Sequence, residues 1–326
     1  MSVDTEILFD RKTVNQLSEK HQEPDWMRQF RLEALETAGR LDLPRVQKTR
    51  IDRWNLTRFE PLAEAAPLES LNALPESVQS LLSSDMEKDN IIVQKNADPV
   101  YVHLDAALKD KGVIFTDLAT ALRECPDLVR KYFMTKGMRP DEHRLAALHA
   151  ALWSGGVFLH VPKGVEVDLP FQCLFWADGE GVGLMSHVLV VAEDNSRVNL
   201  VVNIVSEQEE EAVHNGVLEA IVGQGARVRV ATINHMGKRA TDVFHRRGVV
   251  DRDGQLDWLV GDLSGGNTLS DITTHLVGTG GRVDVKSIVV GSDEQRSNIT
   301  ARVHHWGTHT ESDILSRGVI LDQANC

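Results

Sequence analysis

The chain has 326 residues, 42% apolar and 25% charged, with a formal net charge of −13. Two unequal domains fit that length, and an acid surplus of this size argues against a nucleic-acid phosphate backbone or an anionic membrane surface as partner. No apolar run reaches the roughly 18 residues of a membrane span, and the N-terminus lacks the basic-then-apolar order of a secretory signal.

Helices are predicted first. Pro24 and Asp25 open a segment in which Met27, Phe30, Ala34 and Ala38 share one face, and Gly39 is placed to end it as a left-handed residue. The phrase KTRIDRWNLTRFEPL follows as a linker carrying Trp54 and Phe59, and residues 61–75 read as loops with short helices. IIVQ and PVYVHL read as two short strands around a turn at 95–98. Helices are predicted over 117–123 and 126–133, with Pro126 at a tolerated first-turn position. Pro140 and Asp141 open another, with Leu145, Leu148 and Leu152 on one side, that stops at Ser154, Gly155 and Gly156.

From Gly155 onward one phrase recurs: an apolar run, a turn residue, then an alternating apolar and polar run. The turn residues are Gly164, Asn195, Gly225, Gly254 and Gly281, spaced by 31, 30, 29 and 27 residues. A fixed period of this size signals one unit stacked on itself. A solenoid of parallel rungs is therefore preferred over an antiparallel sandwich or barrel, each turn burying its inner face against its neighbours. The expected fold is mainly β: a mainly helical N-terminal α/β region with a short strand pair over 1–154, then a parallel β-helix over 155–326. The closing SRGVILDQANC reads like the middle of another rung, so the β-helix is expected to be incomplete at its C-terminus.

KTRIDRWNLTRFEPL, SGGVFLHVPKGVEVDLP and HTESDILSRGVILDQ resemble the SufB/SufD family of iron–sulfur cluster assembly proteins. Trp54, Thr57 and the short helical region place the resemblance on the SufD side. The resemblance implies a right-handed β-helix and a non-catalytic, cytoplasmic scaffold subunit of the SUF system. The implied partners are a SufB-like paralogue and a SufC-like ATPase, whose docking region is expected beyond Cys326, with a homodimer as a further possibility. It implies no intrinsic cofactor, the iron–sulfur cluster being held transiently by the assembled complex, and leaves flavin binding undetermined.

In VHHWGTH, His304 and His305 point to opposite faces of a strand, whereas His305 and His309 share parity and are the weak metal-ligand candidates if the strand runs on through Gly307. His235, His245 and His275 differ in register and read as scattered. Cys125, Cys173 and Cys326 have no finger or CxxC spacing and fit reduced thiols; four cluster-ligating thiolates cannot come from this chain alone. Cys125, before Pro126, has a helix N-terminus that would lower its pKa, but a structural role is preferred. Cys173 reads as a buried, inert thiol. VGQG and VGTGG read as rung corners rather than phosphate loops. Trp153, Trp176, Trp258 and Trp306 are expected to cover rung edges or pack in the core, with a flavin or sugar platform as the minor reading. No catalytic residue is assigned. The alternative function is a β-helix polysaccharide lyase or hydrolase using Asp251, Asp253, Asp257 and Asp262.

Overall fold

A computed structural model describes residues 7–82 and 90–326. Its helices are α1 (Arg11–His21), α2 (Asp25–Ala38), α3 (Glu76–Gln79), α4 (Ala106–Asp110), α5 (Leu118–Glu124), α6 (Pro126–Tyr132) and α7 (Arg144–Leu152). Before residue 155 the strands are β1 (Asn90–Lys95), β2 (Asp98–His103) and β3 (Ile114–Asp117). After it come β4 (Gly155–Val161), β5 (Phe171–Ala177), β6 (Val182–Leu184), β7 (Ser186–Ala192), β8 (Arg197–Ser206), β9 (Ala212–Val222) and β10 (Arg227–His235). The chain continues through β11 (Thr241–Val250), β12 (Gln255–Asp262), β13 (Asn267–Leu276), β14 (Arg282–Gly291), β15 (Ser297–His305) and β16 (Glu311–Ile320).

The strands wind into a parallel β-solenoid of about 6 turns. Its first sheet runs β3-β4-β7-β9-β11-β13-β15, and its second β2-β1-β5-β8-β10-β12-β14-β16. Successive turns pair parallel and in register, so Ile221 lies over Val249, Val249 over His275, and His275 over His304. The strand pair read before Gly155 joins this structure, since β1 pairs parallel with β5 and antiparallel with β2.

Two burial patterns explain why the repeat is legible. In the second sheet, β10 and β14 alternate buried and exposed residues, because one face fills the lumen and the other meets water. In the first sheet, β9 and β11 are buried at every position, as parallel strands covered on both faces are. Leu218, Ala220 and Val222 of β9 point into the lumen core, while Val217 and Ile221 belong to a second core beneath the helices.

At the corner that leads from the first sheet into the second, the left-handed residues are Gly164, Asn195, Gly225, Asp253, Gly280 and His309. The first three match the sequence reading. In the next two turns the residue before the expected glycine takes the positive φ, so Gly254 and Gly281 follow the corner instead of making it. Asp and Asn tolerate this region better than most side chains, so the glycine signal alone misplaces the bend by one.

The helices pack on the outer face of the first sheet. Helix α2 covers 25–38 as expected, but Gly39 ends it in right-handed geometry (φ −66). Helix α7 starts later than Pro140: His143 is its cap, its ring accepting from the Ala146 N–H at 3.1 Å. Every residue from Leu145 to Leu152 is buried, because α7 is sandwiched between α2 and β9.

Candidate functional site

A cleft of about 660 Å³ lies against the outer face of the first sheet, beside the end of α6. Its floor is one column of the solenoid, Val191, Ile221, Val249 and His275, one residue per turn. Tyr132 and Lys136 wall one side; Lys163, Glu193 and Asp251 come from the corner side. Glu193 accepts from the His160 ring at 3.1 Å and from the Lys163 N–H at 3.1 Å. The His160 bond, then the Lys163 amide, hold its carboxyl below the usual range against partial burial. The cleft thus offers an apolar floor beneath two ammonium groups and a row of carboxylates.

The column ends in stacked rings. His275 and His304 lie 4.9 Å apart with planes 12° from parallel, and Trp306 continues the stack. The Trp306 Nε1–H donates to His275 Nδ1 at 3.2 Å, so His275 carries its own proton on Nε2 if neutral. Burial first, then His304 and Arg247, push the His275 pKa down. At 69% exposure, Trp306 is a solvent-facing ring rather than a core filler. Trp153, Trp258 and Trp176 pack inside: Trp153 under α2, Trp258 in the lumen, and Trp176 against the segment containing Leu74 and Val78.

The structure does not bring His305 and His309 into one strand. Strand β15 ends at His305, whose Nδ1 lies 2.7 Å from Thr310 Oγ1 and whose Nε2 lies 3.1 Å from Ser312 Oγ. His309 occupies the next left-handed corner, with φ 56. The shared parity required an extended backbone through Gly307, and the turn removes it. Among the described residues no group of three or more His, Cys, Asp or Glu is arranged to hold a metal. His235, His245 and His275 remain apart, as their registers indicate: His245 pairs across the sheet with Asp271, and His275 with Val249 and His304.

The four aspartates do not converge. Asp253 is a corner, Asp257 pairs with Arg229 at 3.2 Å on the outer face of the second sheet, and Asp262 is buried in the lumen. Asp251 lines the cleft at the corner side. Neither VGQG nor VGTGG precedes a helix; both turn into strands at Gly225 and Gly280.

A family model described as the SufBD core domain of SUF system FeS cluster assembly matches residues 175–326, and one described as the SufBD protein N-terminal region matches residues 8–173. The chain belongs to the SufBD family. It is 42% identical to the iron–sulfur cluster assembly protein SufD of Bacillus subtilis, over 100% of this chain and 75% of that protein. It is 29% identical to an iron–sulfur cluster assembly SufBD family protein of Staphylococcus epidermidis, over 94% of this chain and 68% of the relative. A Staphylococcus saprophyticus relative of the same description is 28% identical over 95% and 68%. No described helix is long and apolar enough to cross a membrane.

The thiols of this SufBD chain lie in three separate environments. Cys173 is in the lumen core, where burial pushes its pKa far up. Cys125 is half-buried, and burial followed by Glu124 raises its pKa, so the helix start does not activate it. Cys326 is exposed, and partial burial of its thiol and Asp262 raise its pKa.

Sequence reasoning missed two buried polar strings. Inside the lumen, Ser186 Oγ lies 2.9 Å from His214 Nε2 and His214 Nδ1 lies 2.7 Å from Asp242, which also accepts from Asn234. Arg246 beside it donates to Thr232 and Ser270; burial lowers its pKa to about 10. Serine, histidine and aspartate in this order form an activated nucleophile elsewhere. Here all three are sealed in the core and satisfy one another's buried polar atoms. The second string, His149, His187 and Glu219, lies under α7. A carboxylate inside the apolar run LEAIV was its one visible signal.

Proposed function

We propose that this chain is a non-catalytic scaffold subunit of a SUF iron–sulfur cluster assembly complex, pairing with a SufB-type paralogue and working with a SufC-type ATPase in the cytoplasm. The observation that carries this reading is 42% identity along the whole chain to a protein named iron–sulfur cluster assembly protein SufD. Two features support it. The carboxylates weighed for sugar chemistry face different sides of the solenoid. The three cysteines are spread over the lumen, the helical layer and the last residue. A cluster built on the complex is therefore cargo, with ligands drawn mainly from partners.

Long parallel sheets suit such a role, since strand edges and flat faces dock other chains through main-chain pairing. The test is co-expression of the gene with SufB and SufC homologues from the same source. Co-purification of a stable ternary complex that accepts iron and sulfide is expected. Failure to associate with either partner, or turnover of an acidic polysaccharide abolished by Asp257→Asn, would overturn the proposal.

A further inference from the structure

His149 and His187 form a hydrogen-bond string whose direction is set at its far end, and its near end, His187 Nε2, is buried without a hydrogen-bond partner 3.2 Å from Glu219 Oε2. His149 Nδ1 lies 2.8 Å from the Asn215 carbonyl oxygen. A carbonyl only accepts, so the His149 Nδ1–H donates. Burial, then the neighbouring His187, keep His149 neutral, leaving a lone pair at Nε2. That atom lies 3.0 Å from His187 Nδ1, so the His187 Nδ1–H must donate to it. His187 then presents a bare Nε2 to Glu219 Oε2 at 3.2 Å, with both side chains fully buried. Two acceptors at hydrogen-bond distance in a dry site require one proton between them.

The far side of the same carboxyl holds a loop. Glu219 Oε2 accepts from the Met134 N–H at 2.8 Å and Oε1 from the Met138 N–H at 3.0 Å, and the Gly137 amide contributes. The fit admits only glycine at 137, where a Cβ would stand 2.6 Å from Glu219 Oε1. This loop joins α6 to α7 and carries Lys136, while Tyr132 sits at its root; both wall the cleft.

We propose that a proton held between Glu219 Oε2 and His187 Nε2 latches the 133–138 loop onto the solenoid, making the Tyr132–Lys136 wall of the cleft sensitive to pH. Proton loss cannot be absorbed by reversing the string. A His187 Nε2–H donating to the carboxylate would make His149 donate from Nε2 and leave its bare Nδ1 facing the Asn215 carbonyl. The surrounding ionisable groups are otherwise engaged: Arg247 and His245 of β11 face Asp271, Arg247 also reaches Glu142, and His214 of β9 turns into the lumen. Burial, opposed by the loop amides and Arg247, raises the Glu219 pKa from 4.5 to about 7. A group with a raised folded-state pKa contributes stability that is fully present below its solvated value and lost as pH rises through the folded one. Loop opening, which solvates Glu219, is therefore expected to increase up to about tenfold per pH unit through that window and then level off.

Hydrogen exchange of the Met134 and Met138 amides, corrected for intrinsic rates, reads the opening directly. Glu219→Gln keeps an acceptor for the Met138 amide and supplies an N–H to His187 while giving up the Met134 bond, so opening read at Met138 should not vary with pH. A wild-type chain whose opening is as flat as the variant's, or a variant that keeps the wild-type dependence, overturns the proposal. Should the variant fail to fold, nitrogen NMR of the unaltered chain decides: His187 must be protonated at Nδ1. A neutral His187 protonated only at Nε2 refutes the latch.

Discussion

Arg31 and Glu23 form an ion pair at 2.6 Å with both side chains fully buried. The same guanidinium donates to the Ala151 and Trp153 carbonyls at 3.0 and 2.8 Å and lies 4.0 Å from the Trp153 ring centroid. Carbonyls at a helix end lack intrahelical partners, so Arg31 closes the end of α7 while tying it to α2. Removing one member of a buried pair costs about 3–5 kcal/mol, because the other is left charged and unpaired. Arg31→Met should lose that much in denaturant unfolding, and Glu23→Leu added to it should recover part. A loss under about 1 kcal/mol would contradict the clamp.

The same pair sets an acid limit. Burial opposes ionisation of Glu23, but Arg31 and His21 bring its pKa down from 4.5 to about 2. Its contribution is thus present above 4.5 and is lost as pH falls towards 2. Acid unfolding followed by circular dichroism should show the helical signal weakening over that range, with the step absent in Glu23→Gln.

Trp258 fills the lumen, its Nε1–H donating to Thr274 at 3.1 Å. Trp258→Ala should cost about 3–5 kcal/mol. Leu259, the next residue, faces water at 36% exposure, and Leu259→Ala should stay within about 0.5 kcal/mol. Equal losses would mean the strand does not alternate as described.

The corner assignment separates two adjacent glycines. Gly280 has φ 75, whereas a Cβ on Gly281 meets its nearest atoms at 3.4 Å in ordinary geometry. Gly280→Ala should cost about 1–2 kcal/mol, and Gly281→Ala should be close to neutral. Thermal unfolding of both proteins checks the order, and its reversal would move the corner back.

His275 accepts from the Trp306 indole only while Nδ1 is unprotonated. Its pKa lies below the ordinary 6.5, so the contact is complete at neutral pH and is lost as pH falls through the depressed value. Trp306 is solvent-exposed, and its fluorescence should report an acid transition that His275→Phe removes. A transition unchanged in that variant would place the titrating group elsewhere.

The solenoid was legible because its period is a property of local sequence. A corner every thirty or so residues and alternation along each strand follow from backbone geometry. Helices α2, α5 and α6 were legible for the same reason, through Pro, Asp and apolar spacing. The start of α7 was not, since a histidine cap lacks the signature of Ser, Thr, Asp or Asn. His305 and His309 were paired on the condition that the strand runs on through Gly307, and the strand ends at His305.

The cleft and the lumen string escaped the sequence altogether, and the second string showed only as the carboxylate inside LEAIV. His149, His187 and Glu219 come from α7, β7 and β9, and nothing in their spacing relates them. Their meeting depends on helices folding back over one sheet, which also leaves β9 and β11 buried on both faces. Repetition and turn chemistry act over neighbouring residues and can be read along a chain. Proton placement, cleft shape and charge pairing depend on groups far apart in it, and exist once packing has expelled the water between them.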